Sequence, residues 1–148
     1  MKIDIQEFSN SDKQAVTNIV LNGLKEFGFG YDPRDDIDLE NPKKYYIEQG
    51  GMFYILKVDG IVVGTVAVIN KGKTAELKRL YVDKNYQGKG FGSKLIDEAI
   101  HFCKESGFIK LELETNKKFK KAHLLYQKRG FRIVKEDEQD YYMEKVLK

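Results

Sequence analysis

Three strand-like segments joined by short turns lie in the middle of the chain, and they limit the possible folds more than any other feature. Each is rich in β-branched and aromatic residues, and the three are MFYILKV (52–58), IVVGTVAVI (61–69) and TAELKRLYV (74–82). The first two flank Asp59-Gly60, and a two-residue Asp-Gly loop is typical of a tight β-hairpin. The sequence therefore predicts an antiparallel meander of three strands.

Hydrophobic periodicity, with glycine or proline at element ends, predicts further elements on both sides of this meander. They are a strand over 1–8, a helix from a cap near Ser9 to Phe27, a short helix over 42–49, a helix over 90–106, a strand over 108–115, a helix over 117–129 and a final hairpin over 131–147. We therefore expect one α+β domain over residues 1–148. Its sheet should be mixed, mostly antiparallel, with about seven strands flanked by about four helices.

Composition narrows the class of protein and its compartment. A hydrophobic content of 41% with 33% charged residues is typical of a soluble folded domain. No apolar segment is long enough to cross a bilayer, and the start, MKIDIQEFSN, lacks the apolar core of a signal peptide, so a cytoplasmic location is expected. Cys103 is the only cysteine, and with two histidines it leaves neither an intrachain disulfide nor a zinc-type cluster.

A glycine-rich segment, QGKGFGS (87–93), stands at the start of the helix predicted over 90–106. It matches neither the P-loop, Gly-x-x-x-x-Gly-Lys-Ser/Thr, nor the dinucleotide fingerprint, Gly-x-Gly-x-x-Gly. The first amides of a helix lack intrahelical partners, and glycine lets an anion approach the backbone closely. The segment is therefore predicted to bind a phosphate group, and the alternative is a plain glycine-rich turn without a ligand.

Two motifs in register resemble the GNAT superfamily of N-acetyltransferases. The first, Gln/Arg-x-x-Gly-x-Gly/Ala, is matched directly after a hydrophobic strand by Gln87-Gly88-Lys89-Gly90-Phe91-Gly92. The second, A-x-x-L-Y-x-x-x-G-F, is matched by Ala122, Leu125-Tyr126 and Gly130-Phe131. The predicted order of elements is also similar to that of the superfamily along nearly the whole chain.

The resemblance implies that acetyl-CoA is the cosubstrate. It implies that the pyrophosphate lies on amides of the glycine-rich turn, and that the preceding strand splays from its neighbour to bond the pantetheine arm. The cofactor-binding residues implied are Leu80, Tyr81, Val82, Gln87, Gly88, Lys89, Gly90, Phe91, Gly92 and Ser93. Many relatives carry an asparagine where this chain has Phe119. Asn116, three residues earlier, either contacts the cofactor or caps the following helix.

Glu76 and Tyr126 are the predicted general base and general acid. Counting by twos along its strand puts Glu76 on the same face as Leu80 and Val82, and similar enzymes often place a glutamate here, acting directly or through water. The alternative is an ion pair with Lys78 or another surface group. Tyrosine at the position of Tyr126 lies near the CoA sulfur in similar proteins, and the alternative is a core aromatic.

The predicted reaction transfers acetyl from acetyl-CoA to a primary amine by direct attack. An acidic segment would favour a cationic acceptor such as a polyamine or a lysine-bearing peptide if it borders the site; its acids are Asp32, Asp35, Asp36, Asp38 and Glu40. The alternative is a solvated acidic loop. A non-catalytic acyl-CoA sensor on the same fold is the other functional interpretation, and nucleic-acid binding through KKFKK (117–121) is the least favoured. The sequence leaves open the acceptor, the acyl-chain length and a homodimer.

Overall fold

A computed structural model describes residues 1–148 as seven strands and three regular helices with short helical turns between them. The strands are β1 (Ile3–Glu7), β2 (Met52–Val58), β3 (Ile61–Asn70), β4 (Thr74–Val82), β5 (Lys110–Asn116), β6 (Arg132–Glu136) and β7 (Asp140–Val146). The helices are α1 (Lys13–Glu26), α2 (Phe91–Glu105) and α3 (Lys120–Lys128). The short helix predicted over 42–49 is a wide helical turn, Lys43–Ile47, which completes the predicted four helices.

All seven strands form one sheet in the order β1-β2-β3-β4-β5-β7-β6. Only β4 and β5 run parallel, and every other neighbouring pair is antiparallel. The predicted meander is confirmed as β2-β3-β4, and the sheet is mixed and mostly antiparallel as expected. In the final hairpin, β7 lies between β5 and β6, so β6 forms one edge of the sheet.

Helices cover the two faces of the sheet, and each face has its own core. On the face that we call the α2 face, buried side chains of α2 such as Leu95 and Ile96 pack with the sheet and with Tyr126 of α3. On the opposite face, the α1 face, Val16 and Val20 of α1 pack with Tyr46 of the wide turn. A site in the middle of the sheet can therefore be bordered by α2 and α3 on one face and by α1 on the other.

No helix of the structure has both the length and the apolar character needed to cross a membrane.

Candidate active site

The two parallel strands at the centre of the sheet separate along their length. β4 and β5 pair only where Thr74–Glu76 lies beside Lys110–Glu112. Beyond this point β4 stays paired to β3 as far as Val82, while β5 stays paired to β7 as far as Asn116. The side of β4 that faces β5 therefore has backbone groups without a strand partner, and the predicted splay is confirmed.

The gap opens into a cleft of about 620 Å³, which lies in the size range of small-molecule sites. Its walls come from β4, the carboxyl end of β5, the end of α1, the start of α3 and the turn before α2. Ten of the predicted cofactor residues line it: Leu80, Tyr81, Val82, Gln87, Gly88, Gly90, Phe91, Gly92, Ser93 and Asn116. Lys89 does not line the cleft and is exposed.

The turn between β4 and α2 presents a row of backbone amides that have no partner in the protein. The N–H groups of residues 88–93 donate no hydrogen bond to the backbone or to a side chain, and the first intrahelical bond runs from Lys94 N to Gly90 O at 3.1 Å. Gly88 and Gly90 have φ values of +79° and +82°, a conformation that favours glycine. Six consecutive free donors at a helix N-terminus form a suitable cradle for a diphosphate.

Gln87 anchors the beginning of the turn, because its side-chain Nε2 donates a hydrogen bond to Val82 O at 3.0 Å. This bond joins the glycine-rich turn to the last residue of β4, so the free amides stay next to the unpaired edge of that strand. The side chain predicted to contact the cofactor therefore also has a structural part in shaping the turn.

The position of Asn116 is compatible with both of the alternatives left open by the sequence. Its Oδ1 accepts a hydrogen bond from Lys118 N at 3.0 Å, which is a cap-like contact, and the residue also lines the cleft. Phe119 lines the cleft as well, with its ring centroid 4.6 Å from that of Phe27 at the end of α1. An aromatic contact thus joins the start of α3 to the end of α1 where relatives often carry an asparagine.

A bulge in β4 overturns the predicted alternation of its side chains. Thr65 pairs with Tyr81 but Ala67 pairs with Lys78, so Arg79 and Leu80 together oppose one residue of β3. Leu77 and Leu80 both contact the core of the α2 face although they are three residues apart. The prediction that Glu76 shares a face with Leu80 and Val82 is therefore wrong, because the bulge shifts the alternation by one residue.

Arg79 is the residue that makes this bulge. Its φ of +59° is in the left-handed region, which is uncommon for a residue with a side chain. Its carbonyl oxygen accepts a hydrogen bond from Thr65 Oγ1 at 2.7 Å. Such strained residues cluster at functional sites and persist only where surrounding contacts hold them.

The contacts that hold Arg79 come from the acidic segment. Its Nη2 lies 2.6 Å from Asp38 Oδ1 and 2.9 Å from Asp36 Oδ1, and its Nε donates to Asp38 Oδ2 at 2.9 Å. The Tyr46 hydroxyl also donates to Asp38. The side chains of Arg79, Asp36 and Asp38 are 7%, 7% and 3% exposed, so this is a buried network with its charges paired.

The pKa shifts in the network follow from these contacts. Burial alone would raise the pKa of Asp38, but the hydrogen bonds and charge of Arg79 outweigh burial and hold it below its ordinary value. Burial and the neighbouring Asp38 raise the pKa of Tyr46. Asp38 is therefore a carboxylate, and Tyr46 a phenol, throughout the neutral range.

This network changes the expectation of a cationic acceptor. Asp36 and Asp38 are buried and paired with Arg79, and Glu40 accepts a hydrogen bond from Tyr31 Oη at 2.9 Å. None of the five acids of the segment lines the cleft. The segment stabilises β4 through its ion pairs with Arg79, and it does not present five free carboxylates to an acceptor in the cleft.

Tyr126 stands in the cleft as the sequence predicts. The residue is only 6% exposed, and its ring lies 5.8 Å from that of Phe131, the last residue of the second motif. Its hydroxyl has no hydrogen-bond partner in the protein, and burial raises its pKa above the ordinary value. The phenol is therefore protonated at neutral pH and free to donate a hydrogen bond to a group in the cleft.

Glu76 lies outside the cleft. Its carboxylate is 3.3 Å from Lys71 Nζ, and it stands beside Glu112 in the short parallel section of β4 and β5. It is not one of the residues that line the cleft. The alternative of an ion pair with a surface group is thus present, and the partner is Lys71.

Glu114 is a cleft carboxylate that the sequence prediction missed. It lines the cleft from β5, where the strand has separated from β4, and alternation places it on the opposite face from the buried Leu113. The side chain is exposed at the cleft, and partial loss of solvent first, and the charge of Asp140 second, raise the pKa of its carboxyl. No motif marks this position, and the signal that could have found it is its place two residues before Asn116 on the strand expected to line the splay.

A sheet that opens at its centre, with a row of free amides at the mouth of the opening, defines the class of acyl-group transferases to which the sequence motifs point. A family model described as "Acetyltransferase (GNAT) family" matches residues 19–131. The chain belongs to this family.

Individual proteins agree with that assignment. The chain is similar to N-acetylaspartate synthetase of Danio rerio, 35% identical over 107 residues, which are 70% of this chain and 38% of the relative. It superposes on a GNAT-family acetyltransferase from Staphylococcus aureus Mu50 with a TM-score of 0.90, at 31% identity and with coverage of 99% and 100%.

A further structure shows the same fold with a ligand. PaiA N-acetyltransferase from Thermoplasma acidophilum, in complex with coenzyme A, superposes with a TM-score of 0.84 at 22% identity, with 99% of both chains covered. The chain spans well under half the length of the N-acetylaspartate synthetases it matches, so it corresponds to one part of those proteins.

Proposed function

We propose that this chain is an N-acetyltransferase that moves acetyl from acetyl-CoA to a primary amine by direct attack. The observation that carries the proposal is the row of free amides at residues 88–93, placed where β4 loses its neighbour. No segment of the chain bonds these donors, and free amides at a helix N-terminus are a typical site for an anion. A diphosphate bound there would leave the thioester arm to run along the unpaired side of β4.

The unpaired edge of β4 fits the second half of that ligand. Free N–H and C=O groups between Leu80 and Val82 can bond an amide-rich arm in the way that a neighbouring strand would. Bound acetyl-CoA supplies a thioester carbonyl for the amine to attack. A backbone N–H of the strand directed at that carbonyl oxygen would stabilise the charge that develops on it.

Glu76 and Glu114 are the two candidates for the general base. The contacts favour Glu114 over Glu76, the residue that the sequence predicts. A lysine-like amine has a pKa of about 10.4, so a base is needed to take its proton at neutral pH. Glu114 lines the cleft and has a raised pKa, which makes it a better base while it remains ionised. Glu76 is engaged with Lys71 outside the cleft.

Tyr126 is the proposed general acid. Its protonated hydroxyl lines the cleft without a protein partner, so it can donate to the sulfur as the thiolate leaves. The aromatic ring also packs against Phe131, which fixes the direction of the hydroxyl.

The test of this function uses the purified full chain with acetyl-CoA. Calorimetry should give heat of CoA binding, and thiol release with product mass should appear with at least one amine of a panel. L-Aspartate belongs in that panel because a relative at 35% identity is named for N-acetylaspartate. CoA binding without any acetylated product would favour the acyl-CoA sensor, and no CoA binding at all would end the proposal.

Matched variants decide between the two bases. Glu114→Gln should lower kcat/KM by about a hundredfold, since a positioned base contributes at least that much, and Glu76→Gln should stay within about twofold. The wild-type rate should also fall as the pH drops through the raised pKa of Glu114, and the Gln variant should lose that limb. The reverse ranking of the two variants would return the role to Glu76.

A further inference from the structure

The charges that line the acceptor side of the cleft point to the class of amine that the enzyme accepts. We infer that the acceptor is an amine that also carries a carboxylate, held by Lys78 and Lys118. This inference rests on the proposed function, because it names the second substrate of the same cleft. Five acids in the sequence suggested a cationic acceptor, and the folded chain distributes its charges differently.

Lys78 and Lys118 are cleft cations with no ion-pair partner in the protein. Both line the cleft, and no carboxylate lies within 4.0 Å of either ammonium. Lys118 Nζ stands 5.2 Å from the centroid of the Phe29 ring, a cation–π contact that holds the side chain near the end of α1. Other lysines of the sheet are ion-paired, as Lys71 is with Glu76 and Lys110 with Glu144.

The position of Lys78 separates it from the proposed phosphate cradle. The side chain before it, Leu77, contacts the core of the α2 face, so Lys78 projects toward the α1 face. The amides of residues 88–93 belong to the turn that starts α2, which covers the other face. Lys78 is therefore placed for the acceptor and not for the diphosphate of CoA. Lys120 and Lys121, at the start of α3, also line the cleft and add positive charge there.

The carboxylates that line the cleft are suited to the amine group of the proposed acceptor. Glu26 and Glu114 are the two acids that line the cleft, and Glu114 is the proposed base for the amine. The Arg79 charge is balanced by Asp36 and Asp38 behind the strand, so it adds little net attraction. An amine directed at Glu114 with a carboxylate at the lysines satisfies both sets of charges.

An aromatic cluster forms one wall on the acceptor side of the cleft. Phe119 touches Phe27 with centroids 4.6 Å apart and stacks on Phe29 at 5.9 Å, while Tyr81 lies edge-on at 6.5 Å. This cluster joins the end of α1 to the start of α3 beside the cleft.

The experiment compares amines that carry a carboxylate with amines that do not. Initial rates are measured by thiol release with acetyl-CoA for L-aspartate, L-phenylalanine, L-phenylalaninamide and spermidine. We expect kcat/KM to be at least about tenfold higher for an amino acid than for its amide, since a hydrogen bond to a charged group is worth about 1.5–3 kcal/mol. An amide has a less basic amine, so chemistry alone would favour the amide.

Variants connect that preference to the two lysines. Lys78→Met and Lys118→Met should each raise KM for the preferred amino acid several-fold while KM for its amide and the Kd of CoA stay unchanged. The control is Lys104→Met, because Lys104 is exposed near the end of α2 and does not line the cleft. Lys78→Glu should shift the preference toward spermidine.

Two outcomes would overturn the inference while leaving the proposed function intact. One is a higher kcat/KM for spermidine or the amide in the wild-type protein. The other is a loss of CoA affinity in the lysine variants, which would assign these cations to the cosubstrate. Failure of every amine despite bound CoA would instead remove the proposed function itself.

Discussion

Strand β4 borders two polar regions that differ in whether their groups have partners inside the protein. Behind the bulge, Arg79 is bonded by Asp36 and Asp38, and Tyr46 completes the set, so the chain satisfies its own charges. Beyond the end of β4, six consecutive amides at residues 88–93 have no partner at all. The Arg79 network therefore fixes the shape of the strand, whereas the amides of residues 88–93 are available to a ligand.

Removing one member of the satisfied region should have the largest effect. Asp38→Ala leaves the buried guanidinium of Arg79 without its main partner, and breaking a buried pair in this way costs about 3–5 kcal/mol. Urea unfolding followed by circular dichroism measures the free energy of unfolding.

Asp35→Ala is the matched control for this prediction. The carboxylate of Asp35 is exposed, and only its backbone oxygen approaches Arg79, at 3.5 Å. The control should stay within about 0.5 kcal/mol of the wild type, as is usual for surface substitutions. A loss below 1 kcal/mol for Asp38→Ala would mean that the network does not hold the bulge.

Placing a charge in the unsatisfied region should affect binding more than stability. Gly90→Asp brings a carboxylate to the open space beside the free amides, where it would repel the diphosphate and compete for its donors. We expect the Kd of CoA, measured by calorimetry, to rise at least about a hundredfold, since several charge-assisted hydrogen bonds are lost.

The control for Gly90→Asp must carry the same backbone strain elsewhere. Gly72 has φ +101° with open space around its Cβ position, and it lies in the turn between β3 and β4, away from the cleft. Gly72→Asp should lose similar stability but keep its affinity for CoA. Equal affinity losses in both variants would point to general destabilisation and not to a phosphate cradle.

Tyr126→Phe removes a single hydroxyl from the cleft and should affect turnover alone. The ring still packs against Phe131, and CoA affinity should stay within about twofold. A positioned acid contributes about a hundredfold or more, so kcat in steady-state assays should fall by about that factor. Tyr54→Phe serves as the control, because Tyr54 packs against α2 and does not line the cleft. An unchanged kcat would make Tyr126 a packing residue.

The elements of this fold could be predicted from local pattern because each carries its own signal. The runs 52–58 and 74–82 coincide with β2 and β4, and the helix predicted over 90–106 is α2 to within a residue at each end. The glycine-rich turn could be located for the same reason, since free amides at a helix start depend on neighbouring residues only.

The bulge and the base could not be predicted in this way. Arg79, the bulge residue with positive φ, is bonded by Asp36 and Asp38, more than 40 residues earlier in the chain, and no local pattern records that contact. Counting by twos through an unseen bulge put Glu76 on the wrong face. Glu114 is important only because β5 separates from β4, which is a property of the sheet and not of the segment around it.

Acidification should give the smallest effect, because it protonates carboxylates of the satisfied region without removing a side chain. The pKa of Asp38 is held below its ordinary value of 3.8 by Arg79. Its contribution to stability is therefore complete above that ordinary value and is lost as the pH falls through the lower, folded-state pKa. The free energy gap between wild type and Asp38→Asn should be constant from pH 7 to about pH 4 and should narrow below it. At each pH where both proteins stay folded, Asp38→Asn and the wild type should have similar affinities for CoA, since none of the free amides of residues 88–93 belongs to the Asp38 network. A gap that widens on acidification would mean that Asp38 is destabilised by burial more than it is stabilised by Arg79, and the two regions would then differ less than the contacts indicate.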